Sequence, residues 1–246
     1  MTAHSLFISD LHLCDSRPEI SRLFFHFLDT EARCADALYI LGDLFEYWVG
    51  DDELSSPLNA RVASALHELT KTGVHVYLMH GNRDFLLAQQ FASASGARLL
   101  TDPSLIDLHG TPTLLMHGDT LCTDDQAYLQ FRAQVRDPAW QAGFLTQPLA
   151  ARRALAQQLR NQSEHAKQEK SADIMDVNAD AVAQCLRQHG YPRLIHGHTH
   201  RPAQHTLAVD GHDCTRWVLQ DWYHSGGYLR CDAHGCEAFT LTSANA

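Results

Sequence analysis

No stretch of this 246-residue sequence approaches the ~18 consecutive apolar residues that a membrane-spanning helix needs. The opening MTAHSLFISDLHL lacks a basic leader and a long apolar segment, so no secretory signal is expected there. Cysteine never occurs as C-x-x-C. The seven cysteines (Cys14, Cys34, Cys122, Cys185, Cys214, Cys231 and Cys236) are scattered and odd in number. That pattern argues against a disulfide framework or a structural zinc knot, and predicts thiols in a reducing compartment. Positive charge is scarce: 19 Lys and Arg against 29 Asp and Glu leave a formal charge of -10, the wrong sign for a general nucleic-acid binder. There is no internal repeat, low-complexity tract or linker. What these absences leave is a cytoplasmic globular protein, 45% hydrophobic and able to bury a large core. Peripheral membrane contact stays compatible with it.

Histidine is the residue in excess, 17 in all, and neutral imidazole is the commonest metal ligand in proteins. Three of them alternate in LIHGHTH as His196, His198 and His200, directly after an apolar run. Alternate residues of an extended chain share a face. The pattern therefore fits either a His-rich polar loop or one wall of a metal site.

Short apolar runs at 5–9, 37–41, 74–79, 113–116 and 193–196 read as buried strands. Between them Ile20, Phe24, Phe27 and Leu28 recur at helical spacing, as do Leu58, Val62, Leu66 and Leu69, the latter closed by Gly73. The alternation predicts the α/β class, a largely parallel sheet covered by helices. Beyond Arg201, Thr, Val, Trp and Tyr with turn signals at Asp210-Gly211 and Gly226-Gly227 predict further strands, antiparallel ones. We expect a single domain over residues 1–246, interrupted over about 124–171 by a helical insertion. That insertion is rich in Ala, Gln and Arg and carries Tyr128, Phe131, Trp140, Phe144, Leu155 and Leu159 as anchors. Within 152–170, Arg152, Arg153, Arg160, Lys167 and Lys170 stand against Glu164 and Glu169, a net of +3 in an acidic chain. Such an island is either a solvated helix face or the place where an anion is met.

Polar clusters follow each of the five strands: Asp10 and His12, Asp43, Asn82, His117, and His198 with His200. Any one of them fits an ordinary turn. In open α/β sheets, however, ligand sites form at the carboxyl ends of strands, and five donor clusters in that position converge on one place. In this order, D-x-H, G-D-x-x, G-N-x-[DE], a strand-end His and G-H-x-H resemble the calcineurin-like metallophosphoesterases, over most of the chain. The resemblance implies a βαβ sandwich, here with a helical cap insertion, and two metal ions side by side. It implies Asp10, His12, Asp43 and His200 around one ion and Asp43, Asn82, His117 and His198 around the other, with Asp43 as the bridge. Donors without thiolate suit Mn²⁺ or a similar first-row ion. A pair of ions ~3.5–4 Å apart lowers the pKa of a water and polarises a phosphoryl oxygen for in-line attack. Asp43, Asn82, Arg83 and His117 are the implied catalytic set, and His196 is expected to be structural.

In GNRD, Arg83 stands where the family often has His. A guanidinium binds phosphate in a planar fork but is a poor proton donor. It suits a leaving group that is already a phosphate anion. GNRD, GDLFEYWVGDD, the helical insertion and IMDVN (174–178) together resemble one branch of the family, the hydrolases of UDP-2,3-diacylglucosamine in lipid A synthesis. The branch implies hydrolysis to UMP and 2,3-diacylglucosamine 1-phosphate with two Mn²⁺ ions, at the cytoplasmic face of the inner membrane, with no nucleic acid and no obligate protein partner. It implies substrate contacts at Asn82, Arg83, Asp125, Ser163, Lys167, Lys170 and His198, with Arg160 and Tyr128 near the phosphosugar. Phe131, Trp140, Phe144 and Leu149 either line an acyl pocket or pack the insertion onto the core. Glu46, Asp51 and Asp52 read as exposed acids or as partners that orient the site. A phosphoesterase acting on a soluble nucleotide, and a non-catalytic metal binder, are the competing readings.

Overall fold

The computed structural model describes residues 3–169 and 176–242, with the backbone alone for 162–169. Its first half alternates as expected: β1 (His4–Ile8), α1 (Pro18–Asp29), β2 (Ala37–Leu41), α2 (Pro57–Lys71), β3 (His75–Met79), α3 (Gln89–Ser95) and β4 (Arg98–Leu100). Proline sits in the first turn of both α1 and α2, where its missing N–H costs nothing. Thr72 caps α2, and Gly73 follows it at φ +97°, the left-handed stop that glycine takes without strain. Then come β5 (Ser104–Leu108), β6 (Thr111–Leu115), three helices α4 (Gln126–Val135), α5 (Pro138–Leu145) and α6 (Leu149–Glu169), α7 (Ala179–Gln188), and strands β7 (Arg193–His196), β8 (Ala203–Val209), β9 (His212–Val218), β10 (Gly226–Asp232) and β11 (Gly235–Leu241).

The strands form two sheets, ordered β11-β10-β1-β2-β3-β4 and β5-β6-β7-β9-β8. Strands β1 to β4 run parallel, with β10 and β11 antiparallel at one edge. In the second sheet β6, β7 and β9 are parallel. The expectation of purely antiparallel strands after Arg201 is thus corrected at β9. It pairs with β7 across the loop and β8, a long-range choice that its turn residues do not encode.

The alternation of side chains within each strand makes the sandwich. Leu6 and Ile8, Leu38 and Ile40, and Val76 and Leu78 face α1 and α2, while Phe7, Leu41 and Met79 face the second sheet and meet Leu115 and Ile195. Leu114 and Leu194 point outward to Val182 and Leu186 of α7. A period of two sends neighbours to opposite faces. A strand buried on both sides is therefore apolar throughout.

A second correction concerns cysteine. Cys231 and Cys236 face each other in the β10–β11 register, Cα to Cα 4.1 Å, and are joined as a disulfide, whereas Cys14, Cys34, Cys122, Cys185 and Cys214 remain thiols. The hairpin register brings the two sulfurs together, and register is a tertiary outcome.

Candidate active site: a two-centre donor cluster under a helical cap

The parallel strands β1, β2, β3, β6 and β7 all deliver their carboxyl ends to one edge of the sandwich. Asp10 N–H donates to Gly42 O (3.1 Å), His12 N–H to Asp43 O (2.9 Å) and Gly197 N–H to His117 O (2.9 Å), so the ligand loops are stitched to one another by backbone. Asp10, His12, Asp43, His198 and His200 all have positive φ, between 50° and 70°. For residues other than glycine this conformation costs about 1–3 kcal/mol each and persists only where the surroundings over-determine it.

Asp10, His12, Asp43 and His117 are buried. His12 Nε2 lies 3.5 Å from His200 Nε2 and 3.8 Å from Asp43 Oδ2, and His200 Nε2 lies 3.3 Å from Asp10 Oδ1. On the other side, Asn82 Oδ1 is 3.0 Å from His117 Nε2 and 2.9 Å from His198 Nδ1. Asp43 Oδ2 is 3.9 Å from His117 Nε2. Asp10, His12 and His200 form one ligand group and Asp10, Asp43 and His117 another, each with its donor atoms within 4.8 Å of one another. All seven residues read from the sequence as ligands are therefore brought together here.

The cluster's own chemistry demands positive charge. His117 Nδ1 sits 2.9 Å from the Leu41 carbonyl oxygen and must donate to it. That leaves the Nε2 lone pair facing an amide oxygen, two acceptors with nothing between them unless a proton or a cation is supplied. Burial pulls His117 down, but Asp43, Asp10 and Asp119 outweigh it and raise it to about 9. Burial, with Asp84 and Asp10 nearby, pushes Asp43 up to about 7. Asp10 Oδ1 and His12 Nδ1 are buried without a hydrogen-bond partner. Divalent ions would satisfy the atoms that face the cluster, Asp10 Oδ1, Asn82 Oδ1 and the Nε2 atoms of His12 and His117, so the residues present fit a two-metal centre.

Asp84 explains how Asp43 is presented. Its carboxylate accepts from the N–H groups of Asp43 (3.3 Å), Leu44 (2.8 Å) and Gly81 (2.8 Å), while Arg83 N–H donates to Asp43 Oδ1 (2.8 Å). Ser9 Oγ and His198 N–H do the same for Asp10 Oδ2, at 2.6 and 2.8 Å. Such partners orient ligands and fix their basicity. His196 is fully buried between Gly197 O (2.8 Å) and the Arg216 guanidinium (3.1 Å), pointing away from the cluster. It is the structural member of the three.

A cavity of about 670 Å³ opens from this cluster. One end is walled by His12, Asp43, Asn82, Arg83, His198 and His200, the other by Phe85, Phe131, Val135, Trp140, Phe144 and Leu159. Asp125 and Tyr128 line it as well. Asp125 caps α4 by accepting from Tyr128 N–H (3.1 Å), and the Tyr128 hydroxyl donates to Asp119 (2.5 Å). Leu149 is not part of this wall. It packs against the hydrophobic core of the first sheet instead. Ser163, Lys167 and Lys170 lie outside the residues whose side chains are described.

The basic island turns out to have a third use. Arg152 pairs with Asp52, Arg153 with Glu53 (2.7 Å) and Arg160 with Glu46 (3.0 Å). Arg152 also donates to the carbonyls of Val49 and Gln147. Island and acids thus form a seam that docks α6 on the segment after Asp43. Arg160 is the one of these three that reaches the cavity.

Residues 4–202 match the model of the calcineurin-like phosphoesterase family. The chain belongs to that family. Curated relatives are similar over nearly the whole chain. The UDP-2,3-diacylglucosamine hydrolase of Aromatoleum aromaticum is 58% identical over 94% of both chains. That of Xanthomonas axonopodis pv. citri is 56% identical over 94% of this chain and 96% of its own, and that of Stenotrophomonas maltophilia 55% over 96% and 98%. As a member of this phosphoesterase family the chain is a hydrolase with a metal-binding centre.

Sequence reasoning left several working residues of this phosphoesterase without a role. Asp84 was visible only as the last letter of GNRD. Asp119 anchors Tyr128 and the Arg132 Nε (2.7 Å) and carried no signal beyond its place after His117-Gly118. Glu46, which the sequence allows as an exposed acid or as a partner that orients the site, is buried among three arginines, which excludes the first of these. Arg136 donates to Gly81 O (2.8 Å) and stacks over Phe85, tying α4 to the Asn82 loop.

Proposed function

We propose that this chain hydrolyses the pyrophosphate bond of UDP-2,3-diacylglucosamine, releasing UMP and 2,3-diacylglucosamine 1-phosphate in lipid A synthesis. The observation that carries the reading is the single cavity whose polar end is the donor cluster with Arg83 and whose far end is apolar. A diphosphate joined to acyl chains needs both ends, and the named relatives act on that molecule.

Asp10, His12, Asp43 and His200 would hold one Mn²⁺ and Asp43, Asn82, His117 and His198 the second. The ions supply charge that activates water and stabilises the transferring phosphoryl group. Asp84, through the N–H groups of Asp43, Leu44 and Gly81, and the Arg83 N–H set the position of the Asp43 carboxylate that would meet both ions. The Leu41 carbonyl locks the His117 tautomer, so that Nε2 faces the centre with its lone pair. Arg83 and Arg160 bind the equatorial phosphate oxygens. Water oxygen bonds to the α-phosphorus as the bond to the bridging oxygen breaks, and the proton passes to solvent. The leaving sugar phosphate departs as an anion near neutral pH, so Arg83 need donate no proton. Helices α4, α5 and α6 wall the cavity on the side of the cap.

Among the described residues no helix is long and apolar enough to cross a membrane. Phe131 and Leu145, both on the cap, are nonetheless exposed large apolar side chains. They support peripheral contact with the cytoplasmic face of the inner membrane, where a diacylated substrate would be reached.

The test is phosphorus NMR of products formed in ¹⁸O-water with Mn²⁺, using the diacylated substrate and its deacylated analogue. Label in UMP, with preference for the acylated molecule, is expected. Equal cleavage of both would move the substrate class to a soluble nucleotide. Cleavage of neither would overturn the enzymatic reading.

A further inference from the structure

Glu46 is buried at 2% exposure, in the polar wall of the cavity. Among the described residues, three guanidinium groups from three separate segments meet its carboxylate. Arg17, at the start of α1, donates to Oε2 (3.1 Å). Arg83, after β3, and Arg160, on the cap helix α6, lie 3.5 and 3.0 Å from Oε1. Oε1 nevertheless has no aligned hydrogen bond. It holds Arg83 and Arg160 by charge, so a turn of either towards a better acceptor breaks no hydrogen bond at that oxygen.

We propose that Glu46 is a positioning residue for substrate phosphate, holding Arg83 and Arg160 together at the cavity wall before the ligand arrives. The inference rests on the phosphate-ester reading above. Its physical basis is twofold. A carboxylate this deeply buried is costly unless paired, so the arginines cannot drift into solvent without leaving it exposed to that cost. Arginine side chains lose much rotamer freedom on binding a ligand, and a carboxylate that already holds them removes that loss from the binding step. Arg17 is anchored independently, by donating to the carbonyl of His12 and by stacking over Tyr223 at 4.7 Å. The His12 loop should therefore stay in place without Glu46.

The experiment compares wild type, Glu46→Gln, Glu46→Asp, Arg160→Ala and Glu46→Gln/Arg160→Ala, all metal-loaded. It measures kcat and KM on UDP-2,3-diacylglucosamine, UMP binding by calorimetry, bound metal and Tm. Glu46→Gln is expected to raise KM and weaken UMP binding about tenfold, with kcat within about threefold and metal content unchanged. Glu46→Asp keeps the charge and should recover part of the loss. In the Arg160→Ala background the Glu46→Gln penalty should shrink at least about threefold, because part of what Glu46 held is gone. Unchanged KM and UMP affinity in Glu46→Gln would overturn the proposal. So would a penalty of the same size with and without Arg160, or a loss of metal, which would make Glu46 a support of the His12 loop instead. A wild-type protein that binds UMP but leaves the diacylated substrate intact would count against the functional reading alone, while the calorimetric series still decides the role of Glu46.

Discussion

Gly81 stands so close to Asp43 that a Cβ on it would lie 2.1 Å from the Asp43 Oδ1 and 2.3 Å from its backbone nitrogen. The contact is with a ligand carboxylate and with backbone, neither of which can give way. Only glycine allows the loop after β3 to approach Asp43 and bring Asn82 beside His117. Gly81→Ala is therefore expected to displace Asp43, cutting turnover by about a hundredfold or more and lowering bound metal, while far-UV circular dichroism stays native. Turnover within a few-fold of wild type would show that the approach is dispensable.

Asp43 Oδ2 lies 3.8 Å from His12 Nε2 and 3.9 Å from His117 Nε2, and on that geometry we assign it to both ions. Asp43→Ala should lose both metals and reduce activity by about 10³-fold or more, measured by elemental analysis and initial rates together. Chelation of the wild type should give the same silence, reversed by Mn²⁺. It should also lower Tm, since an ion that binds only the folded chain contributes about 4 kcal/mol at a thousand times its Kd. An Asp43→Ala protein with full metal content contradicts the bridging assignment.

Trp140 and Phe144 stack with ring centroids 4.9 Å apart, 11° between planes, in the apolar end of the cavity. Trp140→Ala is expected to raise KM for the diacylated substrate about tenfold, consistent with ~25 cal/mol per Å² of apolar surface no longer covered. The rate on the deacylated analogue should be unaffected. A parallel loss on both substrates would mean that Trp140 merely packs the cap.

His196 gives a pH dependence with a definite sign. Burial and the Arg216 guanidinium push it from 6.5 down to about 4, so between these values the unfolded chain binds a proton that the folded chain does not. Stability from this group is complete above pH 6.5 and is lost as pH falls towards 4. At 1.36 kcal/mol per unit it amounts to roughly 3 kcal/mol. Urea unfolding of metal-free wild type and His196→Gln across pH 7 to 4 should show the stability difference between them changing by that order. A difference independent of pH would exclude the assignment.

How much of this was legible beforehand depends on range. Strands β1, β2, β3, β6 and β7 could be read as apolar runs because each is buried on both faces. The seven donors could be read because each follows its strand directly, and the carboxyl ends of parallel strands share one edge. The helical character of 126–169 showed in its composition. These are local properties of a short window of residues, and physical chemistry ties each window to its conformation.

What only the tertiary structure decided is which distant groups share a charge or a face. Which arginines meet Glu46, Asp52 and Glu53 was decided only when α6 laid Arg160, Arg152 and Arg153 across them. The parallel pairing of β9 with β7, the Cys231–Cys236 link and the roles of Asp84 and Asp119 arise the same way. Most partners in such pairs lie far apart in the chain, and even near ones such as Cys231 and Cys236 depend on a register that the fold sets. A buried carboxylate takes its meaning from whatever the fold brings within about 4 Å, where Coulomb attraction and hydrogen bonds offset the cost of leaving water. Sequence determined the donors and the strands that carry them, and packing determined which arginines face the cavity.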